Sequence, residues 1–413
     1  MKLLCMAASL AACLMALLVT QSLQAQTYDQ LYSFKGSPDG AFPYSGLIRD
    51  SKGNLYGTSP GGGIAFECGK LPCGAVFELD SARKETVLYS FCSQSNCSDG
   101  YSPSGGLFRD AEGNFFGSTA YGGAYGYGTV FTLSKTGKET VLYSFCSHPP
   151  SCLDGAYPNG ELIHDAEGNL YGTTHSGGAF GWGTVFKLSK TGKETVLYSF
   201  CSAGNCADGS QPNWGVIQDA EGNLYGTTNE GGVEGEFGTV FKLSKTGKET
   251  VLHSFTGGVD GGGSLGGLIQ DLKGNLYGTS WGGGADGHGN VFKLSRKQNG
   301  RWKETVLYSF AKPDGYYPSS GVIQDAKRNL YGTTSMGGGT GCGGGGCGVV
   351  FKLSGAGKET VLHRFTGTDG NNPGGRLIQD AVGNLYGVAG LGGDLSCADG
   401  QGQGCGVVFK LTP

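Results

Sequence analysis

Gly215-Val216-Ile217-Gln218, Asn223-Leu224-Tyr225-Gly226-Thr227-Thr228, Thr239-Val240-Phe241-Lys242-Leu243 and Glu249-Thr250-Val251-Leu252-His253-Ser254-Phe255 follow one another within residues 213–255. Each run is short and rich in β-branched or aromatic residues. Turn chemistry bounds each one: Asp219-Ala220-Glu221-Gly222, a glycine-rich loop, then Ser244-Lys245-Thr246-Gly247-Lys248. Four antiparallel strands in a unit of about 55 residues make one propeller blade.

The unit recurs. Asn-Leu-Tyr-Gly begins at Asn54, Asn169, Asn223, Asn275, Asn329 and Asn384, with a Phe-Phe variant at Asn114. Successive starts lie 60, 55, 54, 52, 54 and 55 residues apart. A steady period of this size marks a solenoid, propeller or array. The chain ends choose among these. Gln30-Leu31-Tyr32-Ser33-Phe34 reads as a fourth strand without its preceding turn, and Val407-Val408-Phe409-Lys410-Leu411 reads as a third strand without its successor. Joining the two closes a ring and removes both open sheet edges. The expected fold is an all-β, seven-bladed propeller over residues 26–413, with four antiparallel strands per blade and strand one lining the channel. A β-helix or an open solenoid is the alternative.

Composition agrees with this reading. Glycine supplies 81 of 413 residues, which argues against helices, and only 13 prolines without a triplet period exclude collagen. With 11% aromatic and 38% hydrophobic residues a core can form. A formal charge of −4 supplies no attraction toward nucleic acid or an anionic membrane.

Lys2, the apolar stretch from Leu3 to Val19 and a small residue at Ala25 describe a secretory signal over residues 1–25. Leu10-Ala11-Ala12-Cys13 offers a rival, a lipoprotein box anchored through Cys13. No other stretch could span a bilayer, so the expectation is a soluble, monomeric, exported chain, periplasmic or extracellular.

Gly-Asn-Leu-Tyr-Gly-Thr-Thr, then Gly-Gly, then Gly-Thr-Val-Phe-Lys-Leu resembles the GloVer-type tandem repeat of secreted bacterial proteins across essentially all of the mature chain. The Asp-x-x-Gly-Asn-Leu-aromatic piece is also similar to blades of two-component-regulator propellers. The GloVer resemblance implies an exported bacterial protein with no catalytic residues to carry over. Many similar proteins end in a surface-sorting tail; the sequence stops at Pro413 without one, so covalent surface attachment is not expected.

In a four-stranded blade the two-to-three loop and the connection to the next blade share a face. Here those loops vary between repeats, whereas the turns of the opposite face are nearly uniform. Function tends to sit on variable loops of a rigid scaffold. The expected ligand-binding residues are therefore Trp182, Trp214, Trp281, Tyr125 and Tyr316 on the variable face, with loop packing as the competing role. Twelve cysteines form close pairs there, Cys68/Cys73, Cys92/Cys97, Cys146/Cys152, Cys201/Cys206, Cys342/Cys347 and Cys397/Cys405, read as disulfides, with thiolate-bound zinc as the rival.

An Asp-Gly step precedes each first strand, at Asp39, Asp99, Asp154, Asp208, Asp260, Asp314 and Asp369. These residues are expected at the channel mouth as structural turns, or as ligands for calcium. Six scattered histidines share no metal-ligand spacing, and there is no nucleophile elbow or phosphate loop. The functional expectation is a non-catalytic binding module for glycans or another extracellular ligand. A structural or protein-interaction scaffold and a channel-mouth enzyme are the alternatives.

Overall fold

The computed structural model describes residues 26–64, 73–233, 236–397 and 402–413. The signal segment and Cys13 lie outside them. Among the described residues there are β-strands and short 3-10 turns but no α-helix, and no helix is long and apolar enough to cross a membrane.

Seven antiparallel sheets follow in chain order and form a seven-bladed propeller. In the fourth blade, strands Ile217–Gln218, Leu224–Thr227, Thr239–Leu243 and Glu249–Ser254 lie side by side in sequence order. The seventh blade contains Asn371–Gln379, Leu385–Leu391 and Val407–Thr412, and its outer strand is the N-terminal Thr27–Ser33. The register runs from Thr27 opposite Thr412 to Ser33 opposite Val407, as the complementary chain ends require. In the third and fifth blades the lead into strand one also pairs with strand two, as Ala156–Pro158 and Gly262–Leu265.

The repeated residues are explained by packing. The strand-three phenylalanines, such as Phe77, Phe131, Phe186 and Phe241, are completely buried. Each ring lies against the glycine of Asn-Leu-Tyr-Gly: a β-carbon added at Gly226 would sit 2.6 Å from Phe241 Cζ. Tyr56, Tyr225 and Tyr331 of the same motif pack into the core of the following blade. Their hydroxyls donate back to the aspartate of the one-to-two turn, with Tyr225 reaching Asp219 at 2.9 Å. That aspartate also accepts from the asparagine backbone and side chain, at 2.9 and 2.8 Å for Asn223. One motif thus closes a turn and ties two blades. Strands three and four share a bulge in every blade, between Val240 and Phe241 in the fourth, which raises the twist of the outer strand.

A second clasp runs around the variable face. The glycine before strand three lies under the proline that leads into the next blade: a β-carbon at Gly128 would be 2.5 Å from Pro158 Cδ, and one at Gly406 would be 2.6 Å from Pro43 Cδ. Both glycines have positive φ, at +99° and +96°. The residue before the proline donates its N–H to the residue before the glycine, as Tyr157 to Tyr127 at 2.8 Å and Gln211 to Trp182 at 2.8 Å. In the one junction with Ser264 in place of proline, Gly263 still makes the bond, to Phe237 at 3.1 Å.

Candidate functional site

Each strand one starts at the variable face and descends the channel, so residues just after the repeated proline surround its mouth. Backbones of adjacent blades approach closely there. A β-carbon at Gly215 would lie 2.0 Å from the Glu161 carbonyl oxygen, one at Gly160 2.3 Å from Gly215 N, and one at Gly321 2.2 Å from the Gly267 carbonyl oxygen. Glycine is what lets seven blades meet around so narrow an axis. Threonines of strand two fasten the ring from behind: Thr58 donates to the Gly105 carbonyl at 3.0 Å, Thr173 to Trp214 at 3.0 Å and Thr279 to Ser320 at 2.8 Å.

Few side chains enter this ring. Three residues past the proline, or past Ser264 in the fifth blade, stand Gly46, Gly106, Gly215, Gly267 and Gly321, but Glu161 in the third blade and Arg376 in the seventh. Their side chains meet across the channel, Arg376 Nη2 to Glu161 Oε2 at 3.3 Å. Trp214 enters one residue earlier in the fourth blade, its ring close to Gly267, and Tyr44 enters from the first. Burial pushes the Tyr44 hydroxyl above its ordinary range. Tyr44, Trp214 and Glu161, with Ser104, Asn159, Asn213 and Ser319, line a cavity of about 270 Å³, and Arg376 is tied to it through its pair with Glu161. Asn159 donates to Asn213 at 2.5 Å across the boundary of two blades.

The structure does not gather the expected aromatic residues into one site. Trp214 lies in the channel cup instead of a surface loop, which corrects its placement. Its position so soon after Pro212 puts it in the segment that leads along the channel mouth into strand one, Ile217–Gln218. Trp182 and Trp281 are 43% and 42% exposed at separate blade junctions. Trp281 stacks on Tyr317 from the next blade, with ring centroids 3.9 Å apart and planes 12° apart, so one of its faces is occupied. Tyr316 packs edge-on against Tyr317 and donates to the Gly345 carbonyl at 3.0 Å. Tyr125 is exposed at a loop tip.

The Asp-Gly carboxylates are also displaced from expectation. None lines the channel cup; they sit between blades beside the outer strands. Tyr89 donates to Asp99 at 2.8 Å, Tyr143 to Asp154 at 2.7 Å, Tyr198 to Asp208 at 2.6 Å and Tyr32 to Asp39 at 2.8 Å. Tyr308 donates likewise to Asp314, while His253 and His363 face Asp260 and Asp369 at 3.3 and 3.0 Å. Backbone N–H groups complete each turn, such as Ser93 to Asp99 and Ser202 to Asp208, both at 2.9 Å. The long connection between blades carries the aspartate back against the fourth strand, where the tyrosine hydroxyl meets it.

A glutamate of the following blade faces each of six of these aspartates. Burial, with the neighbouring aspartate charge adding, pushes Glu139, Glu194, Glu249, Glu304 and Glu359 up to about 7 and Glu85 to about 8. One carboxylate oxygen of each is buried without a hydrogen-bond partner. At the seventh junction the N-terminal strand puts Tyr28 in the glutamate position; it stacks on His363 at 3.9 Å and donates to the Asp369 carbonyl.

A profile of the Gloeobacter/Verrucomicrobia repeat matches residues 17–167 and 148–345. The chain belongs to this repeat family. No curated protein matches it. Among solved structures it is similar to the extracellular domain of a proposed hybrid two-component system from B. thetaiotaomicron, at 12% identity and a TM-score of 0.56 over 94% of this chain and 41% of that one. A gluconolactonase from Xanthomonas campestris aligns at 14% identity and a TM-score of 0.44, over 76% of this chain and 87% of that one. At these identities the likeness concerns the fold alone.

In this Gloeobacter/Verrucomicrobia repeat protein five cysteine pairs are joined as expected, Cys92–Cys97, Cys146–Cys152, Cys201–Cys206, Cys342–Cys347 and Cys397–Cys405. Cys73 is also disulfide-bonded, and Cys68 lies outside the described residues. Among the described residues no cluster of three or more metal-ligating side chains occurs. Glu161 and Arg376 were missed in the sequence because each looks like an ordinary surface charge. Superposing the seven segments after the proline exposes them as the two replacements of a repeated glycine.

Proposed function

We propose that this protein is an exported, non-catalytic binding module for glycans, acting through its variable-loop face and centred on the channel cup. One observation carries the reading: where the glycine ring admits side chains at the channel mouth, Trp214 and Tyr44 meet serine hydroxyls and asparagine amides around one cavity. An apolar ring face beside short planar polar groups matches a sugar, which has an apolar face and a rim of hydroxyls. The disulfides that brace the variable loops support an oxidising compartment.

Calorimetry of the purified protein against a glycan panel tests this. Trp214→Ala should weaken binding by about 1–2 kcal/mol while the melting temperature changes little. Absence of binding to every glycan, or equal binding by Trp214→Ala, overturns the reading. Exposed Tyr125, Phe180 and Trp182, away from the cup, favour a second reading as a protein-interaction scaffold. In that case substitutions at these three residues would abolish partner capture and leave the cup irrelevant.

A further inference from the structure

Resting on the glycan reading, we infer that the cup is blind and takes the terminal unit of a neutral, polyhydroxylated chain end-on, with Glu161 and Arg376 as its specificity-determining floor. Strand one descends from the variable face, so residues one position past the proline stand at the rim and those three positions past it stand deeper. The ion pair belongs to the deeper level. It joins the third blade to the seventh, and its two side chains fill space that belongs to other blades. A β-carbon at Gly106 would lie 2.7 Å from Glu161 Cγ, one at Gly46 2.8 Å from Glu161 Oε1, and one at Gly267 3.2 Å from Arg376 Nη2. The pair therefore crosses the channel, and a chain cannot thread through.

The floor's chemistry selects the ligand. Its charges cancel, so a charged sugar gains no net field, whereas a hydroxyl can donate to Glu161 and accept from Arg376. The two side chains keep 27% and 26% of their surface, enough for contact with a ligand seated on them. Trp214 then provides the wall for the sugar's apolar face.

The test uses cello-, xylo- and manno-oligosaccharides from disaccharide to hexasaccharide, each free, borohydride-reduced or blocked at the non-reducing end, with uronic-acid counterparts. Binding is followed by calorimetry and tryptophan fluorescence on the full mature chain. End-on recognition predicts that blocking one particular end abolishes binding and that affinity is level with chain length. Glu161→Gln and Arg376→Gln should each weaken binding by about tenfold or more. The double variant Glu161→Gly/Arg376→Gly restores the glycine found in five other blades, so it should fold with an open channel and lose binding. Binding that tolerates blocks at both ends, climbs steadily with length, prefers uronic acids or survives the double glycine variant overturns the inference alone. Failure of every probe to bind overturns the glycan reading with it.

Discussion

Gly226 and Gly204 separate two uses of glycine that look identical in the sequence. A β-carbon at Gly226 meets the Phe241 ring at 2.6 Å, whereas one at Gly204 meets nothing within 4 Å. Gly226→Ala should therefore destabilise the protein by about 1–3 kcal/mol through overpacking. Gly204→Ala should stay within about 0.5 kcal/mol of wild type. Urea denaturation of the two variants checks the difference; equal effects would mean that the repeated glycine is not selected by packing. The repetition of Asn-Leu-Tyr-Gly was legible from spacing alone, but its cause was not, because Phe241 reaches Gly226 only when strands two and three pair. The same holds for Trp214: its aromatic character was readable, and its place in the cup follows from how strand one enters the ring.

At the scale of single elements, the N-terminal strand is the one with the least local support. It has no turn to its neighbour and is held by its pairing with Val407–Thr412, by Tyr28 stacked on His363, and by Arg83 bridging to Asp29 at 2.6 Å. That last pair is exposed and contributes no more than about 1 kcal/mol. Deleting residues 26–34 should leave the edge of Val407–Thr412 unpaired and convert a monodisperse protein into aggregates in size-exclusion chromatography. A monomeric deletion variant with an unchanged melting temperature would show that the closure is dispensable. The disulfides act on individual loops. Removing the Cys201–Cys206 bridge, which closes a short loop, should cost about 2 kcal/mol on the chain-entropy model, read as a lower denaturation midpoint of Cys201→Ser/Cys206→Ser. Cysteine spacing made these pairs legible. It could not reveal that the Asp-Gly carboxylates lie beside the outer strands, since that depends on the path of each connection.

For the whole molecule the blade junctions set the pH response. In the six junction glutamates the folded state holds a proton that the unfolded chain releases above about 4.5. Their contribution is present below that value and is lost as pH rises through about 7 to 8. The turn aspartates work in the opposite sense. Hydrogen bonds from asparagine and tyrosine, outweighing burial, hold Asp219, Asp271 and Asp380 below the usual range and Asp165 at about 2. Their contribution is present above about 4 and is lost as the solution becomes strongly acidic. His175 and His253, lowered by burial, also favour higher pH, but they are two groups against six. The melting temperature should therefore be highest in mildly acidic buffer, near pH 5, and fall toward pH 8. Glu139→Gln and Glu194→Gln together should shallow that fall. A melting temperature that rises between pH 5 and pH 8 would show that the junction carboxyls are ionised in the folded ring.

Repeat number, strand order and ring closure were determined by the sequence itself, because strand periodicity, turn residues and complementary chain ends are local patterns that need no partner to be read. The cup, its ion-paired floor and the carboxyl pairs between blades were decided only by the tertiary structure. Glu161 and Arg376 stand 215 positions apart (376 minus 161), and the chain brings them to 3.3 Å only by completing a ring in which the blades between them turn both toward one axis.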